Sequence, residues 1–205
     1  MRSNFHSDLR KEQVLSSYLD TYYNSVFENT DYTLERVHDP GNQYKGIDLI
    51  VKNNEKEYFI DEKAQLDYLE EALPTFAFEL SYYKGHNMKQ GWLFDYSKET
   101  QFYFLVTAIK CRIPRKIFTG IKSVKVISVN RKLLLNYLCS IGLDKTRLEH
   151  YDYVLRKEGK FKNSIKELNS RTEGNIYYSE KKVEKPMNIV LFLQNLIDRN
   201  IAKEL

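Results

Sequence analysis

The sequence predicts an α/β fold in which helices cover both faces of a central mixed β-sheet, giving three layers. Three observations carry this. Ile47 to Val51 and Tyr58 to Ile60 are apolar on both alternating faces, as central strands covered on each side require. The polar Asn53-Asn54-Glu55-Lys56 segment joins them as a turn. Stretches with helical spacing lie before and after them.

Taken in order, Val14/Leu15, Tyr18/Leu19, Tyr22 and Val26 recur at helical spacing, so a long amphipathic helix opens the chain, capped by Ser7 with Asp8 near its positive end. Tyr32 to Val37 is β-prone and reaches a turn at Asp39-Pro40-Gly41. After the central hairpin, Leu73-Pro74-Thr75 introduces a second helix through Phe76, Leu80 and Tyr83, with Gly85 as its stop. Gln90 to Tyr96 and Gln101 to Ile109 read as another hairpin, and Val124 to Val129 as a further strand. Asn130 caps a helix over Leu133 to Leu138 that Gly142 ends. Pro186 or Asn188 starts a last helix through Leu191, Leu193, Leu196 and Ile197. The expected division is a core over 1–143 and a C-terminal helical elaboration over 144–205 packed on the same domain.

At 205 residues, 42% hydrophobic and 29% charged, the chain suits one globular unit rather than a disordered or fibrous one. Its net charge of +4 hides an asymmetry: residues 1–109 carry 11 Lys/Arg against 18 Asp/Glu, residues 110–205 carry 21 against 10. An acidic site and a basic clamp fit that division.

Several chemistries lack their residues. The four histidines show no HExxH spacing and no cysteine joins them, which argues against a zinc enzyme. Cys111 and Cys139 form no ligand pair, and Leu138 and Ile141 suggest that Cys139 is buried. There is no Walker loop, no GxGxxG after a strand and no nucleophile elbow. No apolar stretch has the length of a signal peptide or a membrane span, so a cytoplasmic location without membrane contact is expected.

The central hairpin carries Asp48, Asp61 and Lys63. Alternation along a strand puts Asp61 and Lys63 on one face, and Asp48 reaches that face from the neighbouring strand. Charges on central strands cost several kcal/mol unless they are paired, reach solvent or hold an ion. Two converging carboxylates supply the hard oxygens that Mg²⁺ prefers, and an adjacent ammonium can orient water or neutralise a phosphate.

Three acid-x-Lys triplets occur in the chain, Asp61-Glu62-Lys63, Glu158-Gly159-Lys160 and Glu180-Lys181-Lys182. Only the first follows an apolar strand, Tyr58-Phe59-Ile60, and faces a second strand bearing an Asp. On these residues the sequence resembles the PD-(D/E)xK nuclease superfamily, although Ile47 stands where that pattern has Pro. The resemblance implies a restriction-endonuclease-like core and Mg²⁺- or Mn²⁺-dependent hydrolysis of phosphodiester bonds, in DNA rather than RNA. It implies that Asp48 and Asp61 ligate metal, that the Glu62 carbonyl completes the coordination, and that Lys63 assists the attacking water, with Gln65 the Gln found two positions on. A first-helix acid joins the metal in such proteins; Glu12 is the candidate here, with Asp20 and Glu28 as alternatives. Double-strand cleavage by a domain with one site would call for a homodimer. The alternative is a catalytically inactive protein of the same fold that binds nucleic acid or a protein partner; a third reading makes the hairpin charges an ion pair only.

From Lys110 to Lys132 the chain has eight basic residues, Lys110, Arg112, Arg115, Lys116, Lys122, Lys125, Arg131 and Lys132, and no acidic one. Such a strip suits a nucleic-acid backbone, where counterion release supplies affinity; an edge strand guarded by lysines is the plainer alternative. Tyr82-Tyr83, Tyr151/Tyr153 and Tyr177-Tyr178 could stack on bases, but half-buried packing is the reading favoured for them.

Overall fold

The computed structural model of the chain describes residues 5–159 and 162–205; Lys160 of the Glu158-Gly159-Lys160 triplet lies outside them. In chain order the described residues form α1 (Phe5–Phe27), β1 (Thr33–Arg36), α2 (Pro40–Tyr44), β2 (Leu49–Lys52), β3 (Glu57–Ala64), β4 (Thr75–Lys84), β5 (Asn87–Gln90), β6 (Phe102–Cys111) and β7 (Ile121–Asn130). There follow α3 (Arg131–Ser140), α4 (Lys145–Glu158), β8 (Lys162–Asn163), β9 (Gly174–Tyr178), β10 (Met187–Phe192), α5 (Leu193–Asp198) and β11 (Ala202–Glu204). The class is therefore mixed α/β. Among the described residues no helix is long and apolar enough to cross a membrane.

Contacts group the chain into two compact units, Met1–Leu73 with Glu99–Ser128 and Lys203–Leu205, and Pro74–Lys98 with Val129–Ala202. The sequence reading divides the chain at 143/144; the contacts interleave the two units along it.

The first unit is built on a mixed sheet in the order β1-β2-β3-β6-β7-β11. β1 with β2 and β2 with β3 are antiparallel, whereas β3 and β6 run parallel. Leu15, Leu19 and Tyr23 of α1 pack on Leu49, Val51, Ile60, Phe104 and Val106 of the sheet. Burial of each such side chain contributes about 1.5–3 kcal/mol, so the helical spacing seen in the sequence is the stripe that seats α1. Ser7 falls inside this helix rather than ahead of it. At the Asp39-Pro40-Gly41 turn the chain makes the short helix α2 instead, with the Asp39 carboxylate accepting the Asn42 N–H at 2.8 Å and Pro40 at its first position.

The second unit holds a sheet in the order β5-β4-β10-β9-β8, whose pairings are antiparallel. Three expectations fail here. The stretch after Pro74 is strand β4, not a helix: Phe76, Phe78 and Leu80 are buried at every second position, and its backbone pairs with β10. Gln90 to Tyr96 does not pair with Gln101 to Ile109; Gln90 closes the β4–β5 hairpin, while β6 lies parallel to β3. The expected last helix begins as β10, with Met187, Ile189 and Leu191 buried in alternation, and turns helical only at Leu193. The region after 144 is consequently mixed rather than helical.

Asn130 caps α3 as expected, accepting the Leu133 N–H at 3.0 Å. Cys139 is exposed, contrary to the expectation that it is buried, because it lies on the solvent side of α3 while Leu134 and Leu138 face inward; Cys111 is the buried thiol.

Candidate active site at the end of the hairpin

Antiparallel pairing sets Leu49 opposite Ile60 and Val51 opposite Tyr58. One residue beyond, the Asp48 N–H donates to the Ile60 carbonyl at 2.8 Å. Residues opposed across such a pair share a face, so the Asp48 and Asp61 side chains meet. Lys63, two residues on, projects to the same side and its ammonium pairs with Asp61. The Asp48 carboxylate accepts the Glu62 N–H at 2.9 Å, while the Asp48 carbonyl accepts the Val37 N–H at 2.8 Å. A side-chain oxygen thus stands where a ladder carbonyl would, which holds Asp48 in one orientation.

Asp61 is 4% exposed. Burial pushes its carboxyl from an ordinary 3.8 up to about 7; Lys63 pulls it down without offsetting the burial, and Asp48 pushes it further up. The charged form is therefore costly in the protein alone, and a cation bound between Asp48 and Asp61 would relieve that cost. Among the described residues no group of three or more His, Cys, Asp or Glu side chains is arranged to hold a metal ion. One or two carboxylates with water completing the shell is the sparse oxygen set by which Mg²⁺ is commonly held, so Asp48 and Asp61 fit such an ion.

A cleft of about 640 Å³ opens at this point, lined in part by Glu12, Arg36, His38, Asp48, Glu62 and Lys63. Of the three first-helix acids weighed from sequence, Glu12 is the one that lines it. Asp20 is bound to Arg36 at 2.6 Å, and Glu28 lies past the end of α1, some 16 residues or roughly 24 Å along the helix from Glu12.

Glu62 faces α1. Its carboxylate accepts the Tyr23 hydroxyl at 2.9 Å and the Arg36 guanidinium at 3.4 Å. Burial raises its pKa, with Arg36 and Tyr23 working in the opposite sense. The Tyr23 phenol is likewise driven up, by burial first and then by Glu62. The part implied for Glu62 rests on its backbone carbonyl, so the engagement of its carboxylate does not compete with it. Arg36, Tyr23 and His38 were not singled out from sequence. The one available signal was an arginine two residues after Leu34, on the same face of a β-prone run.

Of the set, the buried Asp61 does not line the cleft, and neither does Gln65. Its side-chain carbonyl accepts the Thr107 hydroxyl at 2.6 Å, and its N–H donates to the Val106 carbonyl at 3.0 Å. It thereby secures the end of β3 to β6.

The basic strip is divided. Lys110, Arg112, Arg115, Lys116 and Lys122 are exposed around the loop between β6 and β7. Lys125 is paired with Glu204 at 2.7 Å. Arg131 does not belong to a surface strip: it is 8% exposed and donates to the carbonyls of Asp95 at 2.8 Å and of Leu93 and Lys98 at 3.4 Å. Arg131→Ala should therefore cost about 2–3 kcal/mol through the loss of its hydrogen bonds to these carbonyls, of which that of Asp95 keeps the Lys98 N–H at 3.2 Å; urea denaturation measures it, and a loss below about 0.5 kcal/mol, as for a surface site, would contradict this role. β7 lies between β6 and β11, so its lysines do not guard a sheet edge.

The tyrosine pairs are largely occupied within the protein. Tyr83 and Tyr178 each lie 5.0 Å from the Arg156 guanidinium, and Tyr151 packs on Arg147 while donating to Glu167 at 2.9 Å. Tyr153 is exposed.

Comparison with known proteins finds no match to this chain among family models, curated proteins or solved structures.

Proposed function

We propose that the chain is a metal-dependent nuclease with a layered, restriction-endonuclease-like core, hydrolysing phosphodiester bonds in DNA with Mg²⁺ or Mn²⁺. The observation that carries this reading is the convergence of Asp48, Asp61 and Lys63 at one end of the β2–β3 hairpin, beside a cleft of about 640 Å³. A bound divalent cation supplies Lewis acidity and a more acidic water. Asp48, held by the Glu62 N–H, and Asp61 fix its position. Lys63 turns hydrogen bonds from Asp61 toward the incoming water or the phosphate oxygens, where charge builds in the transition state. Glu12 lines the cleft from the helix side, where its carboxylate can accept a proton.

The direct Asp61–Lys63 contact favours a second reading, in which the two are simply an ion pair on a noncatalytic scaffold. Calorimetric titration of Mn²⁺ into the wild type and into Asp61→Asn separates the two. The nuclease reading expects binding that the substitution abolishes. Equal heats in both proteins, with and without an oligonucleotide present, would leave only the ion pair.

A further inference from the structure

The loop between β6 and β7 joins exposed apolar and basic side chains in a way the sequence alone did not bring out. Phe118 is 60% and Ile113 49% exposed, a large apolar surface for one short loop. Arg112, Arg115, Lys116 and Lys122 are exposed around them. Between the two apolar residues, Ile117 is 3% exposed and belongs to the same core cluster as Leu15 and Leu19 of α1. The chain thus sends one residue in as an anchor and the next one out.

The loop is also braced. The Glu70 carboxylate accepts the N–H groups of Cys111 at 2.8 Å and Arg115 at 3.3 Å. The Arg112 N–H donates to the Gly120 carbonyl at 2.9 Å, and the Thr119 hydroxyl donates to the Lys116 carbonyl at 2.7 Å while accepting the Ile113 N–H at 3.2 Å. The Tyr18 hydroxyl on α1 donates to the Lys122 carbonyl at 3.3 Å. Gly120 has φ +98°, a backbone conformation that favours glycine. A braced loop presents its side chains with little ordering cost on binding.

We infer that this loop is a nucleic-acid wedge: Phe118, backed by Ile113, packs on an unpaired or unstacked base while Arg112, Arg115, Lys116 and Lys122 hold the phosphates on either side. Aromatic stacking recognises any base face and favours single strands, and apolar wedges flanked by cations are used to open base steps. Charge selects the partner, since an apolar protein surface would gain nothing from four surrounding cations. The inference rests on the nuclease reading for the loop's role in choosing substrate, and it makes that substrate single-stranded or locally opened DNA.

The test is equilibrium binding of a fluorescent single-stranded oligonucleotide and of its duplex, in EDTA so that cleavage is silent, at several salt concentrations. The full chain, Phe118→Ala, Phe118→Tyr and the double variant Arg115→Glu/Lys116→Glu are compared after a thermal-melt check. The wild type should prefer the single strand. Phe118→Ala should lose about tenfold in single-strand affinity with the salt slope unchanged, and Phe118→Tyr should retain it. The double variant should flatten the salt slope. Equal single-strand affinity of Phe118→Ala and wild type would overturn the wedge, as would binding of the wild type to phosphatidylserine vesicles and not to oligonucleotide. Phe118-dependent binding with no Mn²⁺-dependent cleavage would remove the nuclease reading and keep the wedge; cleavage indifferent to Phe118 would do the reverse.

Discussion

Lys63→Ala is expected to lower Mn²⁺-dependent phosphodiester cleavage roughly a hundred- to a thousandfold while leaving the protein folded, the scale of losing one aligned charge-stabilising group in a water-poor site. The structure makes the prediction specific, because Lys63 already faces a demand within the protein: its ammonium pairs with Asp61, which is almost wholly buried. Removing it therefore also costs stability, about 1–3 kcal/mol at alkaline pH, where Asp61 would otherwise be charged and left without its partner. At acidic pH, with Asp61 protonated, that cost should vanish. Lys63→Arg separates the two effects. A guanidinium keeps the positive charge and can pair with Asp61, so stability should be retained; its planar fork and different reach do not reproduce an ammonium placed on a water or a phosphate, so cleavage should still fall. Single-turnover rates on an oligonucleotide and urea denaturation of the same samples give both numbers. An alanine variant that cleaves as fast as the wild type would end the role assigned to Lys63.

The site was legible in the sequence because it depends on the simplest periodicity a chain has. Asp48, Asp61 and Lys63 share a face through strand alternation and one tight turn, and both were readable between Gly46 and Gln65. The network beneath them was not. Tyr23, Arg36 and Glu62 meet only because α1, β1 and β3 pack together, and nothing local marks a tyrosine on an apolar helix face as a partner for a carboxylate 39 residues away. The same limit explains β4. Phe76, Leu80 and Tyr83 fit a helical face and Pro74 fits a helix start, yet Phe76, Phe78 and Leu80 fit a strand as well; pairing with β10, more than a hundred residues on, decides for the strand. β10 was misread together with β4 because each is the other's partner. Cys139 misled in a related way: apolar neighbours at positions 138 and 141 share its helix but not its face. Arg131 shows the converse, since the basic run continues through it in sequence while its guanidinium donates to three backbone carbonyls of Leu93, Asp95 and Lys98.

Metal-free wild-type protein should lose stability as the pH rises from about 4 to about 7, by up to about 4 kcal/mol from Asp61 alone. The sign follows from the direction of the shift. Asp61 titrates near 3.8 when exposed and at about 7 in the folded protein, where burial and then the Asp48 charge outweigh the pull of Lys63. Its folded pKa lies above the unfolded one, so the folded protein holds the proton more tightly; that contribution is fully present below about 4 and is lost as the pH passes through about 7. Glu62, also raised by burial, adds in the same direction. A divalent cation competes for the same carboxylate, so metal affinity should rise about tenfold per pH unit below 7 and level off above it, and saturating Mn²⁺ should remove the alkaline loss of stability. Asp61→Asn keeps the shape of the side chain without the titration. Its metal-free stability should vary less with pH than that of the wild type, exceed it above pH 7, and not respond to Mn²⁺. Urea midpoints across this range, with EDTA or with Mn²⁺, give all of these curves. Parallel pH profiles for the two proteins in EDTA would show that Asp61 does not carry the proton in the folded state, and the case for a cation held between Asp48 and Asp61 would lose its electrostatic ground.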